Sequence, residues 1–494
     1  MPPPSLHPPE GPAMKRAAKL GPVAAIVGFL AFVEFTSGII QGYYTPLLTD
    51  IARHLGVHDA DVNWLEGSQL MLSALVVPAF AKLGDMVGHK RMLVWSTAIT
   101  AVASTALAFT DVFWVFLVAW ALQGFYVVWL PLEIALVWSR SRSADRPAAM
   151  TRRAAGFLVA ALELGAIAGA LSAGALAEAL PMRVLLLVPA VAVIACFFVI
   201  LFGVKESPDL TGGTLDTGGL ILISLALISL TGGLSFMRLN GPGDLLSWAL
   251  VALGVLLVVP FVRYELRHPD PLIDVRMFRS TTLWPVFLTA GLFGVSVLGA
   301  QAPLSTFART DAATYGYGLG ATSFQTSLLI GSYVLSLVVG AMLFPFVTRW
   351  LSPRVALIGA SALVSIGYLL FLPFHDAYGQ ALTNLVIAGI GSGALVAALP
   401  AAAAAAAPQQ QTGVATGLTN SVKTVGGAIA SCVFGIALLG AAGEAATGTA
   451  GSFAGYVTVW LVCGLTAAVA AVVLAFVPKL AFSDAPEVEA AAVR

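Results

Sequence analysis

The sequence predicts an all-α membrane protein that crosses the bilayer many times. Hydrophobic residues make up 59% of its 494 residues and charged residues only 10%, whereas soluble domains carry about 25% charged residues. Apolar runs of about 20 residues recur along the chain, and each is long enough to cross a bilayer as a helix. Helices are expected because backbone polar groups must be paired inside hydrocarbon. The alternating ten-residue pattern of membrane β-barrels is absent from the sequence.

Fourteen apolar segments qualify as spans, at about 21–47, 64–82, 92–110, 112–138, 154–178, 182–204, 216–237, 245–263, 283–307, 322–347, 354–374, 377–404, 413–440 and 453–477. With both termini inside, only Arg53, Arg183, Arg238 and Arg309 of the 25 Lys and Arg residues fall outside, and Lys423 alone lies within a span. Basic residues are enriched in cytoplasmic loops. The pattern therefore predicts a multi-pass plasma-membrane protein with both termini in the cytoplasm.

Two segments of the chain are similar to each other. The segment 156–174 aligns with 417–435, and three glycines of each fall in register: Gly156, Gly165 and Gly174 with Gly417, Gly426 and Gly435. Duplicated halves with a site between them are typical of alternating-access transporters. The predicted organisation is a cytoplasmic tail (1–20), a six-helix bundle (21–205), two linking helices with a cytoplasmic loop (206–280), a second six-helix bundle (281–478) and a cytoplasmic tail (479–494).

Four motifs carry a resemblance to a known family. They are AKLGDMVGHKRML (81–93), LQGFYVVWLPLE (122–133), ELGAIAGALSAG (163–174) and PLIDVRMF (271–278). Through them the chain resembles the major facilitator superfamily, and within it the fourteen-span drug:proton antiporter group. The resemblance implies the major-facilitator fold, with two six-helix bundles and two inserted linking helices. Trp120 stands where the fourth-span motif of the family has an Arg that is implicated in proton transfer.

The first span contains a carboxylate that we expect to couple protons. Ser37, Gly38 and Gln41 follow Glu34 at i+3, i+4 and i+7, which predicts one polar helical face. The first span lines the central cavity in the superfamily, so Glu34 and Gln41 are also predicted to contact substrate. Tyr44, nearer the end of the span, is predicted to be an interfacial anchor or part of a turn.

The fourth span contributes a second candidate carboxylate. Glu133 shares a helical face with Tyr126 and Trp129, and two aromatic rings beside a carboxylate suit a flat or cationic organic substrate. The alternative is an ion pair between Glu133 and the basic residues near Lys90 or Arg140. Gln123 belongs to the same motif and is predicted to bind substrate.

Glu163 lies in the middle of the fifth span. Small residues recur there every fourth position, which favours close helix packing, and Glu163 points about 200° away from that stripe. A buried charge must face a cavity or a partner. Glu163 is therefore either a proton-coupling group or a structural hydrogen-bonding group.

The other polar residues have more ordinary predicted roles. Glu66 and Asn63 have the spacing of a helix capping box at the start of the second span. The loop residues Asp85, Gly88, Lys90 and Arg91 are predicted to latch the two halves at the cytoplasmic side in one state. Lys423 either gates and packs or contacts an anionic substrate, and we do not expect it to pair directly with Glu163. Gln301 and Asn384 are candidate substrate contacts from the second half.

The sequence favours a transporter over an enzyme. It has no G-x-x-x-x-G-K-[ST] phosphate-binding loop and no metal-ligand or nucleophile–base spacing, so we expect no cofactor, no metal and no nucleic-acid partner. The prediction is a monomeric, proton-coupled antiporter that exports hydrophobic, aromatic or cationic drugs or metabolites. Two alternatives stay open: a proton symporter that imports a small anionic metabolite, and a non-transporting membrane sensor.

Overall fold

The structure is a computed structural model that describes residues 12–141, 147–206, 214–407, 412–440 and 449–476. The predicted C-terminal tail lies outside the described residues. The first helix begins at Pro12, within the segment predicted as the N-terminal tail.

All regular structure in these residues is helical. The α-helices are α1 (Pro12–Tyr43), α2 (Leu48–Leu55), α3 (Val62–Val87), α4 (His89–Leu107), α5 (Phe113–Gln123), α6 (Trp129–Ser141), α7 (Pro147–Leu176), α8 (Met182–Gly203), α9 (Thr217–Asn240), α10 (Leu245–Glu265), α11 (Trp284–Val297), α12 (Gln301–Arg309), α13 (Ala312–Tyr315), α14 (Ser323–Val347), α15 (Pro353–Leu369), α16 (Tyr378–Ala406), α17 (Thr412–Leu439) and α18 (Phe453–Ala475).

Eleven helical segments of the described residues are long and apolar enough to cross a membrane. They match predicted spans 2, 4–10 and 12–14. The other three predicted spans correspond to α1, to α4, which carries hydroxyl side chains along its length, and to α15, which has only 17 residues. The many-span helical fold is therefore confirmed, and the count of fourteen stays a prediction.

Two predicted spans bend where proline interrupts the helical hydrogen bonding. The fourth span changes from α5 to a 3₁₀ turn at Gly124–Val128 and then to α6, in which Pro131 lacks an N–H for the preceding turn. The ninth span breaks between α11 and α12, and Pro303 follows that break. These bends place side chains of both spans toward the middle of the molecule.

The apolar side chains form two large cores. One gathers buried residues between 30 and 204, and the other gathers buried residues between 277 and 474. Each core accepts one small residue from the opposite half, Ala302 in the first and Ala60 in the second. The two halves are therefore in contact at Ala60 and Ala302.

The same glycine-mediated helix crossing occurs in both halves. A Cβ atom on Gly165 of α7 would collide with the carbonyl oxygen of Phe35 on α1, and one on Gly426 of α17 would collide with that of Gly291 on α11. Gly165 and Gly426 are the glycines aligned by the internal repeat. Close backbone approach at small residues is the usual way in which membrane helices pack.

This crossing leads to a stability prediction. Gly165→Ala forces α1 and α7 apart, and overpacking of this kind costs about 1–3 kcal/mol, so its thermal unfolding temperature should fall. Gly156→Ala is the matched control, because a Cβ there meets nothing within 4 Å. If the two purified variants unfold at the same temperature in detergent, the close crossing is not a determinant of stability.

The linking helices α9 and α10 are fastened to the first half at both ends. Arg238 at the end of α9 bonds Asp61 at 2.5 Å, and Lys82 of α3 bonds Asp270 in the loop after α10 at 2.6 Å. The hydrogen bond from Lys82 lowers the pKa of Asp270 below its ordinary value. A lowered pKa means that the contact is fully present above about pH 4 and is lost as the pH falls below it.

Candidate functional site: a central cavity and a buried carboxyl pair

A small cavity lies between the two halves. Its lining combines aromatic, amide and aliphatic side chains with one carboxylate: Ile40, Gln41, Tyr44, Glu66, Gln69, Leu70, Trp120, Tyr126, Leu298 and Gln301. Its volume is about 40 Å³, whereas pockets for drug-sized ligands measure about 300–1,000 Å³. The structure therefore shows the cavity in a constricted state.

The predicted substrate contacts divide into two groups. Gln41, Tyr126 and Gln301 line the cavity. The others do not: Glu34, Gln123, Trp129 and Asn384 are buried elsewhere in the bundles. Asn384 donates from Nδ2 to the carbonyl oxygen of Phe374 within the second half.

The expected capping role of Glu66 is wrong. Helix α3 begins at Val62, and a 3₁₀ turn before it carries a capping box made by His58 and Asp61. Asn63 donates from Nδ2 to the carbonyl oxygen of Ala60 and caps no N–H. Glu66 is consequently in the second turn of α3 and faces the cavity. Gln69, three residues after Glu66, lines the same cavity, and this spacing is a sequence signal for a polar face of α3.

Tyr44 lies in the turn between α1 and the 3₁₀ helix Thr45–Leu47, as one of the two alternatives predicted, and it lines the cavity. It is buried, its ring lies 4.9 Å from that of Trp120, and its hydroxyl accepts a hydrogen bond from Gln123 Nε2 at 3.0 Å. Gln123 also donates to Ser104 Oγ at 2.8 Å. Gln123 thus holds the Tyr44 ring in place without lining the cavity itself.

Glu34 and Glu133 form a pair inside the first half. Both side chains are fully buried, and their carboxyl groups lie side by side within hydrogen-bonding reach. No donor from another described residue reaches their four oxygen atoms. Two adjacent carboxylates without a cation repel each other and lose their hydration, which disfavours the form in which both are ionised.

This pair changes two sequence interpretations. Gly38 packs against the backbone of α7, so the predicted polar face of α1 is divided between a helix contact and the carboxyl pair. The alternative ion pair of Glu133 with the basic loop is not formed, because Arg140 donates instead to the carbonyl oxygen of Glu206 at 2.6 Å. Trp129 is buried beside Tyr126, with ring centroids 6.4 Å apart.

Glu163 on α7 and Lys423 on α17 are opposite charges in different halves, and each lies in the electrostatic field of the other. No ion pair within 4 Å joins them among the residues the structure describes, which agrees with the expectation of no direct pair.

The predicted gating loop is held within the first half. Glu206, after α8, accepts hydrogen bonds from the backbone N–H groups of Lys90 (2.9 Å) and Arg91 (3.1 Å) at the start of α4. A Cβ on Gly88 would collide with the same carboxylate, and Asp85 lies 3.3 Å from His89. A latch from this loop to the second half stays a prediction for another state of the protein.

The two halves are joined at one end, which contains Asp50, Asn63 and Arg309. We call it the outer end, after the orientation that the sequence predicts. Asp50 accepts hydrogen bonds from Arg309 (2.8 Å) and Ser323 (2.9 Å) of the second half. Other hydrogen bonds across this seam connect Ser305 to Thr45, Ser431 to Asn63 and Asp59 to Thr449. Every hydrogen bond between α1–α8 and α11–α18 that the structure describes lies at this end.

Relatives of known name match most of the chain. The cephamycin export protein CmcT of Amycolatopsis lactamdurans is 27% identical over 423 residues, covering 82% of this chain and 81% of the relative. The drug efflux pump JefA of Mycobacterium tuberculosis is 25% identical and covers 80% and 75%. The tetracenomycin C resistance and export protein of Streptomyces glaucescens is 24% identical and covers 80% and 72%.

Solved structures share the fold at low sequence identity. A peptide transporter POT in complex with sulfate superposes with a TM-score of 0.67 at 15% identity, covering 94% of this chain and 98% of the other. A POT family transporter in complex with 5-aminolevulinic acid has a TM-score of 0.66 at 17% identity, covering 92% and 96%. Residues 30–431 match the Major Facilitator Superfamily. The chain is a multi-pass membrane transporter and belongs to the Major Facilitator Superfamily.

Proposed function

We propose that this transporter is a proton-coupled antiporter of the fourteen-span drug:proton group, and that it exports hydrophobic, aromatic or cationic drugs or metabolites. The observation that carries the proposal is the pair formed by Glu34 and Glu133, which is buried and lacks any other described partner. A group that must hold a proton when buried, and can lose it when water or a cation arrives, is what proton coupling requires.

The proposed cycle uses the pair as the proton carrier. When the cavity opens outward, the pair takes a proton from outside. When it opens inward, substrate entry displaces that proton toward the cytoplasm. The proton gradient supplies about 1.4 kcal/mol per pH unit and about 2.3 kcal/mol per 100 mV of membrane potential.

The cavity lining supports an aromatic or cationic substrate. Three aromatic side chains, Tyr44, Trp120 and Tyr126, surround a space that also contains the Glu66 carboxylate. The names of the relatives given above refer to drug and antibiotic export, which favours outward transport. Glu163, opposite Lys423, is proposed as a second titratable group on the route between the cavity and the cytoplasm.

The anion symporter is the second candidate, and Lys423 is the observation that favours it. Lys423 already lies in the field of the Glu163 carboxylate, so a substrate anion would have to compete with that carboxylate. The proposal of a cationic or neutral substrate does not need this exchange. Kinship with named export proteins disfavours the non-transporting sensor.

Flux in vesicles distinguishes these functions. The purified protein is reconstituted in liposomes, a pH difference is imposed, and movement of the dye ethidium is followed with internal pH. Antiport predicts that ethidium and protons move in opposite directions, with each gradient able to drive the other. Movement in the same direction would indicate a symporter, and movement that ignores the pH difference would contradict proton coupling.

A further inference from the structure

We propose that Glu66 is the counter-charge for a monovalent aromatic cation bound in the cavity lined by Trp120 and Tyr126, at a site distinct from the proton-carrying pair. This inference rests on the proposed antiport function and names its substrate class. It assigns substrate charge and proton to different carboxylates of the first half.

Glu66 has the position and freedom that such a role requires. It is the only one of the ten cavity-lining residues with a charged side chain, and the residue is only partly exposed. No described residue makes a hydrogen bond or ion pair to its carboxylate. An unpartnered carboxylate inside a protein is costly, and a bound cation would remove that cost.

The walls around Glu66 are largely aromatic. Trp120 and Tyr44 pack against each other with ring centroids 4.9 Å apart, and Tyr126 lines the same space. Aromatic faces attract cations by about 0.5–2 kcal/mol or more, and Trp does so best. Gln41, Gln69 and Gln301 supply amide groups for the polar edges of a ligand. A cation would therefore find a carboxylate and three rings in one cavity.

The site has a direct electrostatic link to the proton pair. Tyr126 lines the cavity and lies in the electrostatic field of both Glu66 and Glu34, so the cavity and the pair are both close to this one side chain. A cation bound at Glu66 would repel the proton held between Glu34 and Glu133. Substrate entry and proton release are then coupled without the two ligands sharing one carboxylate.

The constricted cavity is consistent with a site that must widen to fill. Closure is fixed by contacts at the outer end, so separation of the halves at the opposite end would enlarge the space beside α3 and α5. Glu66 and Trp120 belong to the same half and would keep their mutual arrangement during such a movement. The arrangement of Glu66 and Trp120 is thus retained while the entrance to the cavity opens.

Equilibrium binding to the purified full-length protein tests the site. Ethidium is the cationic probe and chloramphenicol the neutral aromatic probe, and both are measured for the wild type, Glu66→Gln and Glu178→Gln. Glu178 is an exposed glutamate at the end of the fifth span and serves as the matched control. We expect Glu66→Gln to lower the ratio of ethidium affinity to chloramphenicol affinity at least tenfold, and Glu178→Gln to leave that ratio unchanged.

The outcomes separate this inference from the proposed function. An unchanged ratio in Glu66→Gln overturns the inference, whether both affinities are kept or both fall together. Because binding is measured without a proton gradient, the result does not depend on antiport. If wild-type flux ignores protons but the ratio still falls, the cation site stands and the proton coupling fails.

Discussion

Replacing Glu34 or Glu133 by Gln should abolish proton-driven accumulation in vesicles. An amide keeps the size and most of the hydrogen bonding of the carboxyl group, but it cannot release a proton. With one proton exchanged per substrate, a pH difference of one unit sustains about a tenfold concentration ratio. In either variant the ratio should fall to one, while exchange of labelled for unlabelled ethidium continues.

Glu178→Gln is the control for this accumulation measurement. Glu178→Gln removes a carboxylate that is exposed at the surface and should accumulate substrate as the wild type does. Accumulation that persists in both Glu34→Gln and Glu133→Gln would show that neither carboxyl carries the coupled proton. If a variant loses both exchange and accumulation, the substitution has damaged the fold.

Removing the Asp50 side chain should weaken the contact between the two halves at the outer end. Asp50→Ala eliminates the hydrogen bonds from Arg309 and Ser323 and leaves Arg309 without its carboxylate. Hydrogen bonds to charged groups contribute about 1.5–3 kcal/mol, which corresponds to a shift of about tenfold to more than a hundredfold toward outward opening.

Thiol labelling measures this shift. Cys196, Cys432 and Cys463 are all buried, so Gln301→Cys can act as a single reporter in the cavity. A membrane-impermeant maleimide applied from outside should label it at least tenfold faster when Asp50→Ala is added. Asp111→Ala is the control, because Asp111 pairs with His54 within the first half. Equal labelling rates would mean that Asp50 does not hold the outer end closed.

The sequence predicts the framework of this fold well because hydrophobicity and repeat spacing are local properties. Apolar runs identify membrane helices, and the aligned glycines Gly165 and Gly426 do make equivalent helix crossings in the two halves. Both features can be predicted because each depends on the order of residues along a single helix.

The site is less predictable because it depends on the rotation and starting point of each helix. Glu34 and Glu133 can each be selected from sequence, but their proximity joins α1 to α6, and no local pattern predicts which helices meet. Glu66 has the spacing of a cap, and only the 3₁₀ turn before α3 places it in the cavity. Glu206 is 115 residues from Arg91, and no local pattern connects them.

The most direct test of the account is proton release on substrate binding. Purified wild-type protein in weakly buffered detergent solution is mixed with ethidium while a pH indicator is read. The account predicts about one proton released for each ethidium bound, and none in the Glu34→Gln, Glu133→Gln double variant. Release of the same number of protons by that variant would contradict the claim that this buried carboxyl pair carries the coupled proton.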